Sequence, residues 1–246
     1  ASLLALLSGA RLKIGYKVKY KSCIYHIKVP RGVKNGYVHS VENHVNLVKA
    51  LGVGVAGIPP ASLPPPLPAD VRAIDDFFEK HELRNRKVVA LHIGAGNRFR
   101  DWGTANIARL ATCLARLPGT SVVLIGGDED RAAEKDIMAA SPASVLSLAG
   151  RIDLIGVKEL ISRAALFVGP DSGPMHIAAA TATPIVAFFG PTLPANFSPW
   201  KSRARVVEKE LGCRPCRQRE CVPGDFRCLQ GITVEEVFDA CREFIR

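Results

Sequence analysis

No apolar run in this 246-residue chain approaches the ~20 residues that a membrane-crossing helix requires, so a helical membrane span is excluded. Tryptophan occurs twice and tyrosine four times, and no helix-turn-helix, metal-finger or aromatic stacking pattern is present. Nucleic acid is therefore not an expected partner. There is no internal repeat, and no low-complexity stretch apart from one cluster of prolines. Acids are scarce at one end: residues 1–60 hold nine Lys or Arg and a single carboxylate, Glu42. That carboxylate lies in a helical pattern. The apolar stretch Ala1 to Ala10 imitates a signal-peptide core but lacks a basic region before it. It reads as a helix over Ser2 to Leu7, leading into a strand over Arg11 to Tyr16.

The net charge of +10 is unevenly placed. Residues 61–200 carry as many acids as bases, whereas 201–231 hold eight bases against four acids, so the excess sits on that stretch and on the first sixty residues. A basic surface suits phosphorylated small molecules, nucleic acid or an anionic membrane face, and does not choose among them. The chain is expected to be soluble. The Pro-rich run Ile58 to Pro68 reads as a stiff, extended connector. It separates residues 1–57, read as the end of one domain, from a second domain over 69–231 and a C-terminal helix over 232–246.

Beyond residue 86, β-rich runs alternate with helical periodicity. Val88 to Ile93, Ser121 to Ile125, Val145 to Leu148, Leu166 to Val168 and Ile185 to Phe189 read as strands. Asn106 to Leu117, Glu129 to Ala140, Val157 to Ala165 and Met175 to Ala182 read as helices. That order predicts an α/β fold with a Rossmann-like, doubly wound parallel sheet. Within it, Asp171-Ser172-Gly173-Pro174-Met175-His176 joins a strand to a helix, with Ser172 as a good N-cap, Gly173 open to a ligand and Pro174 suited to the first helical position. Free amides and the positive helix end would there face outward from the carboxyl edge of the sheet, a setting for phosphate. Two more glycine turns follow strands on the same edge, Gly94-Ala95-Gly96-Asn97 and Gly126-Gly127-Asp128-Glu129. Either alone is as well explained by a tight connection. Three converging turns favour a shared nucleotide-phosphate crevice.

These residues resemble a known family, the lipopolysaccharide heptosyltransferases of glycosyltransferase family 9. The resemblance rests on Asp171 to His176 with Ile177 to Ala180, on Pro184 to Thr192 with Pro199-Trp200, on Gly94-Ala95-Gly96 with Arg100 and Trp102, and on Gly126 to Glu129. It implies a two-domain GT-B fold, of which residues 1–57 would be the end of the N-terminal, acceptor-binding domain. It also implies inverting transfer of heptose from ADP-heptose to the acidic lipopolysaccharide inner core, in the cytoplasm or at the inner membrane's anionic face, with no cofactor required. By resemblance, donor-binding residues are Gly94, Ala95, Gly96, Arg100, Glu129, Asp171, Ser172, Gly173, Pro174, His176 and Thr192. Arg100 would neutralise the diphosphate, the amides at Ser172 and Gly173 would hold it as it leaves, and His176 would donate to a phosphate oxygen. Glu129 would accept from ribose hydroxyls, Asp171 would orient its turn or accept from sugar hydroxyls, and Thr192 would stand at the phosphate rim. Trp102 is expected to pack rather than touch ligand. His92, His26, His39, His44 and His81 show no ligand spacing and are expected to be structural.

Two departures from the family pattern matter. Pro170 stands where a polar residue is usual, which should stiffen the strand exit and leave the amides in place. No Gly-Asp turn bearing a general base occurs in residues 1–60, and roughly a hundred upstream residues are expected to be missing, judged against an ordinary domain. No catalytic residue is therefore expected in this chain, which would carry mainly the donor-binding half; the alternative is a truncated or degenerate nucleotide-sugar-binding module. Finally, Cys213, Cys216, Cys221 and Cys228 fall within sixteen residues. The Cys-x2-Cys step and four thiolates suit tetrahedral zinc, but the six-residue gap before Cys228 is no second knuckle. A structural metal, free thiols and disulfides all stay open, and Arg214, Arg217, Arg219 and Arg227 among them could face an anionic partner.

Overall fold

The computed structural model of the chain describes residues 2–19, 22–32 and 37–245. Ala1 and Arg246, at the ends of the expected first segment and last helix, lie outside them. The chain clusters into two compact units, Ala1–Pro59 with Ala195–Phe197, and Pro60–Pro194 with Ser198–Arg246.

In the first unit the helix α1 (Ser2–Leu7) forms as expected, with none of its residues buried. The strand expected over Arg11 to Tyr16 shortens to β1 (Ile14–Tyr16), which pairs in parallel with an unanticipated β2 (Ile27–Val29). His26 is structural: its Nδ1 accepts from the Lys13 amide at 3.0 Å, just before β1. Helix α2 (Ser40–Lys49) carries Glu42 in its first turn, and His39 is its N-cap, accepting from the Val41 amide.

The second unit begins with α3 (Pro68–Lys80), where the rigid φ of proline serves the first helical turn. There follow β3 (Lys87–His92), α4 (Thr104–Ala115), β4 (Thr120–Ile125), α5 (Arg131–Ala139) and β5 (Val145–Ser147), then α6 (Leu154–Arg163) and β6 (Leu166–Pro170). The unit closes with α7 (Gly173–Ala178), β7 (Ile185–Phe189), β8 (Ala204–Glu208), α9 (Arg227–Gln230) and α10 (Val234–Arg242), whereas α8 (Pro194–Phe197), between β7 and β8 in the chain, falls with the first unit from Ala195 onward, as the clustering above has it. The strands make one six-stranded parallel sheet in the order β5-β4-β3-β6-β7-β8. Continuous burial of β3, β4, β6 and β7 explains why they are nearly all apolar, as strands covered on both faces must be. Edge strand β8 was missed because it is largely exposed and shows no apolar alternation.

Three expectations shift in detail. The helix expected to start at Glu129 starts at Arg131, after a tighter turn over Asp128–Asp130. The helix read from Val157 starts at Leu154, because Asp153 caps it by accepting from the Ile155 and Gly156 amides at 2.9 Å. The helix read from Met175 to Ala182 is the short α7, and Pro174 is its second residue, after Gly173. Trp102 is packed as expected: it is fully buried, its ring lies 4.8 Å from Phe188, and its Nε1 donates to the Ile232 carbonyl at 2.9 Å.

Candidate functional site

The chain enters the large sheet at β3, runs outward through β4 to β5, then crosses back to lay β6 on the other side of β3. Loops leaving β3 and β6 therefore diverge, and a crevice opens between them at the carboxyl ends of the strands, the place where such sheets bind ligands. All three glycine turns meet there. Gly94, Ala95 and Gly96 after β3, Gly126, Gly127 and Glu129 after β4, and Ser172, Gly173 and Pro174 after β6 line one cavity of about 450 Å³.

Close approach accounts for the glycines. The Asp130 carboxylate sits between two of the turns, and its Oδ2 accepts from the Gly127 amide at 2.8 Å. A Cβ on Gly94 would collide with that carboxylate, and one on Gly126 would meet it at 2.8 Å. Gly96 takes a φ of 59°, the left-handed region that glycine adopts freely. A Cβ on Gly173, by contrast, would meet nothing within 4 Å, so the backbone there faces open space. Burial raises the Asp130 pKa, and repulsion from Glu129 and Asp101 adds to this against the Gly127 hydrogen bond. With Glu129 and Asp153 also on the wall, the β4 side is rich in acceptors and suits hydroxyl groups. The amide-bearing β6 turn suits an anion.

Ser172 departs from its expected role. It holds the N-cap position of α7, yet its side chain makes no capping bond; its Oγ lies 3.1 Å from Nδ1 of His92. His92 ends β3, lines the cavity and is buried, and burial pushes its pKa down to about 4. It was expected to be structural; its place at the end of a strand that runs into a glycine turn is what puts it on the cavity wall.

Arg100, Asp171, His176 and Thr192 do not reach the cavity wall and form a network beside it. Arg100 Nη1 donates to the Asp171 carbonyl at 3.1 Å and lies 3.4 Å from its Oδ2. That same Oδ2 accepts from the Thr192 hydroxyl at 2.6 Å, and His176 Nε2 lies 3.9 Å from Oδ1. Asp171 is buried, and these partners hold its carboxylate in place. The Thr192 hydroxyl, expected at the phosphate rim, is engaged by Asp171 in this network.

The four clustered cysteines line a separate small cavity of about 40 Å³ with Phe99, Pro191 and Phe226. All are free thiols, and burial first, then Cys216, raises the Cys228 pKa. Among the described residues no group of three or more His, Cys, Asp or Glu is placed to hold a metal, so this geometry does not support the zinc reading. Arg214 is not available to an outside partner: its side chain is buried, paired with Glu208 at 2.7 Å and bonded to the Thr192 carbonyl.

Comparison with known proteins bears on the family and the fold. The sequence profile of Glycosyltransferase family 9 (heptosyltransferase) matches residues 1–226. The lipooligosaccharide heptosyltransferase 2 of Haemophilus influenzae is 35% identical over 178 residues, covering 68% of this chain and 51% of that protein. A crystal structure of a family 9 glycosyltransferase from Veillonella parvula superposes with a TM-score of 0.83 at 20% identity, covering 99% of this chain and 70% of that one. The E. coli ADP-heptose lps heptosyltransferase II gives a TM-score of 0.74 at 23% identity, covering 99% and 72%. The chain spans about half the length of the curated relatives it matches.

Proposed function

The chain belongs to glycosyltransferase family 9, the heptosyltransferases, and from that membership we propose that its second unit binds ADP-heptose for inverting transfer of heptose to the lipopolysaccharide inner core. The observation that carries this reading is the meeting of three glycine turns on one cavity at the point where the sheet reverses direction. The relative of known structure named for ADP-heptose shares that fold.

In this reading each turn has a task. The amides of Ser172 and Gly173 hold the diphosphate, Arg100 beside them supplies positive charge, and Glu129 accepts from ribose hydroxyls. The acceptor hydroxyl attacks the anomeric carbon as the bond from that carbon to the diphosphate oxygen breaks; the electron pair leaves on ADP, and a base takes the hydroxyl proton. Charge that develops on the leaving diphosphate is what the amides and Arg100 stabilise. The basic residues before residue 60 favour an acidic acceptor and contact with an anionic membrane face on the cytoplasmic side.

Glu42, the lone carboxylate among residues 1–60, sits in the first turn of α2 and not on a glycine turn. We therefore propose that residues 1–246 by themselves bind the donor but transfer sugar slowly or not at all. Calorimetry with ADP, UDP and ADP-heptose tests the binding: preference for the adenine nucleotides supports it, and no binding of any of them sinks it. Incubation with ADP-heptose and a heptose-deficient core acceptor tests the rest, since rapid turnover by this chain alone would show that the base lies within it.

A further inference from the structure

The cysteine-rich segment has no task in the reading above, yet two of its side chains reach the network around Asp171. Gln218 Oε1 accepts from Arg100 Nε at 3.1 Å and from Asn97 Nδ2 at 2.8 Å. Asn97 in turn caps the 3-10 turn Arg98–Arg100 by accepting from the Phe99 amide at 2.9 Å. One oxygen thus grips both the cap and the last residue of the turn that carries Arg100. The backbone of Gln218 has a φ of 55°, a left-handed conformation disfavoured for any residue but glycine, so the surrounding loop must hold it there.

That loop is fastened on both sides. The Cys216 amide donates to the Pro191 carbonyl at 3.2 Å, Arg214 donates to the Thr192 carbonyl at 2.7 Å, and Phe226 lies against Phe99 with ring centres 5.6 Å apart. The planar guanidinium of Arg100 is consequently held along two directions, by Gln218 at Nε and by Asp171 at Nη1, and cannot turn about its own bond without losing one of them. Its Nη2 has no partner among the described residues, and the side chain stays 28% exposed.

We propose that Gln218 is a positioning residue for the donor diphosphate: by holding Arg100 at Nε it aims the unpaired Nη2 at the phosphates. This rests on the donor-binding role proposed above. The effect is one of pre-organisation, in which the loop fixes before binding a long side chain that would otherwise be ordered during it.

Calorimetry on the full 246-residue chain tests this with ADP and adenosine as paired probes. Losing the contact that orders the long Arg100 side chain before binding should weaken ADP binding about three- to tenfold in Gln218→Ala and leave adenosine binding unchanged. Gln218→Gly should weaken ADP equally, because it removes the same acceptor while relieving the left-handed backbone. In an Arg100→Ala background the Gln218→Ala change should cost nothing more, since the residue acts through Arg100. Unchanged ADP affinity, equal loss of adenosine, a loss in Ala without one in Gly, or a full further loss without Arg100 would each overturn the proposal. Wild-type chain that fails to bind ADP would overturn the donor-binding reading and this one with it, whereas wild-type affinity that survives Gln218→Ala overturns this one alone.

Discussion

His92 is kept neutral by burial, its pKa pushed from an ordinary value of 6.5 down to about 4. The unfolded chain takes up a proton as pH falls through 6.5, and the folded chain does so only near 4. Between those values unfolding is coupled to proton uptake, so stability present above pH 6.5 is lost progressively as pH drops. The full shift corresponds to about 3 kcal/mol. Asp130 works in the opposite sense, since its raised pKa lets the folded state take its proton first. A difference between two variants therefore isolates the histidine: His92→Asn should flatten the decline of urea-unfolding free energy between pH 6.5 and 4 relative to wild type. Parallel profiles would show that His92 is not the group responsible. Glycines at the site separate packing from binding in the same way. Gly94→Ala must displace the Asp130 carboxylate from the Gly127 amide, at about 0.5–1.5 kcal/mol for the hydrogen bond, whereas Gly173→Ala meets no neighbour. Thermal melts should show a lower midpoint for the first and none for the second, while both weaken ADP binding by placing a methyl group in the cavity.

At the level of elements, α10 shows what sequence order conceals. Read as a terminal helix after the second domain, it buries Val234, Val237, Ala240 and Cys241 and packs on α4, β7 and β8. Ile232 and Ile245, on either side of it, are buried as well. A fully buried Val or Ile is worth about 1.5–3 kcal/mol, so four of them rival the ~5–15 kcal/mol by which a whole domain is stable. Removing residues 232–246 should abolish the cooperative thermal transition of the second unit; a melt that stays sharp would show that α10 is an appendage. Strands β3, β4, β6 and β7 were legible because burial on both faces forces apolar runs, and the turns after β3 and β4 were legible because glycine is required where Asp130 comes close. What stayed hidden was long-range. Nothing near Gln218 or Arg214 in the chain announces that the cysteine-rich loop folds back onto Asn97, Arg100 and Thr192. His92 and Ser172 are eighty residues apart and meet only because β3 and β6 pair as neighbours.

For the whole molecule, the division into two units sets unequal stability. The second unit has a continuous core that runs from β3 to α10, whereas Val29 is the one buried apolar side chain of the first among its described residues. A segment of some sixty residues with so little apolar burial is marginal alone. Heating should therefore release the first unit early, and the main transition should belong to the second. Because the proposed cavity lies wholly in the second unit, ADP should act there by mass action: at a hundred times its dissociation constant it adds about 2.7 kcal/mol to the folded state. For a unit of this size that raises the main midpoint by about 5–11 °C, while the early transition stays where it was. Differential scanning calorimetry with and without ADP, beside limited proteolysis that cuts the first unit in both samples, checks this. An upward shift of both transitions, or of the early one alone, would mean that the nucleotide is held by residues outside the three glycine turns.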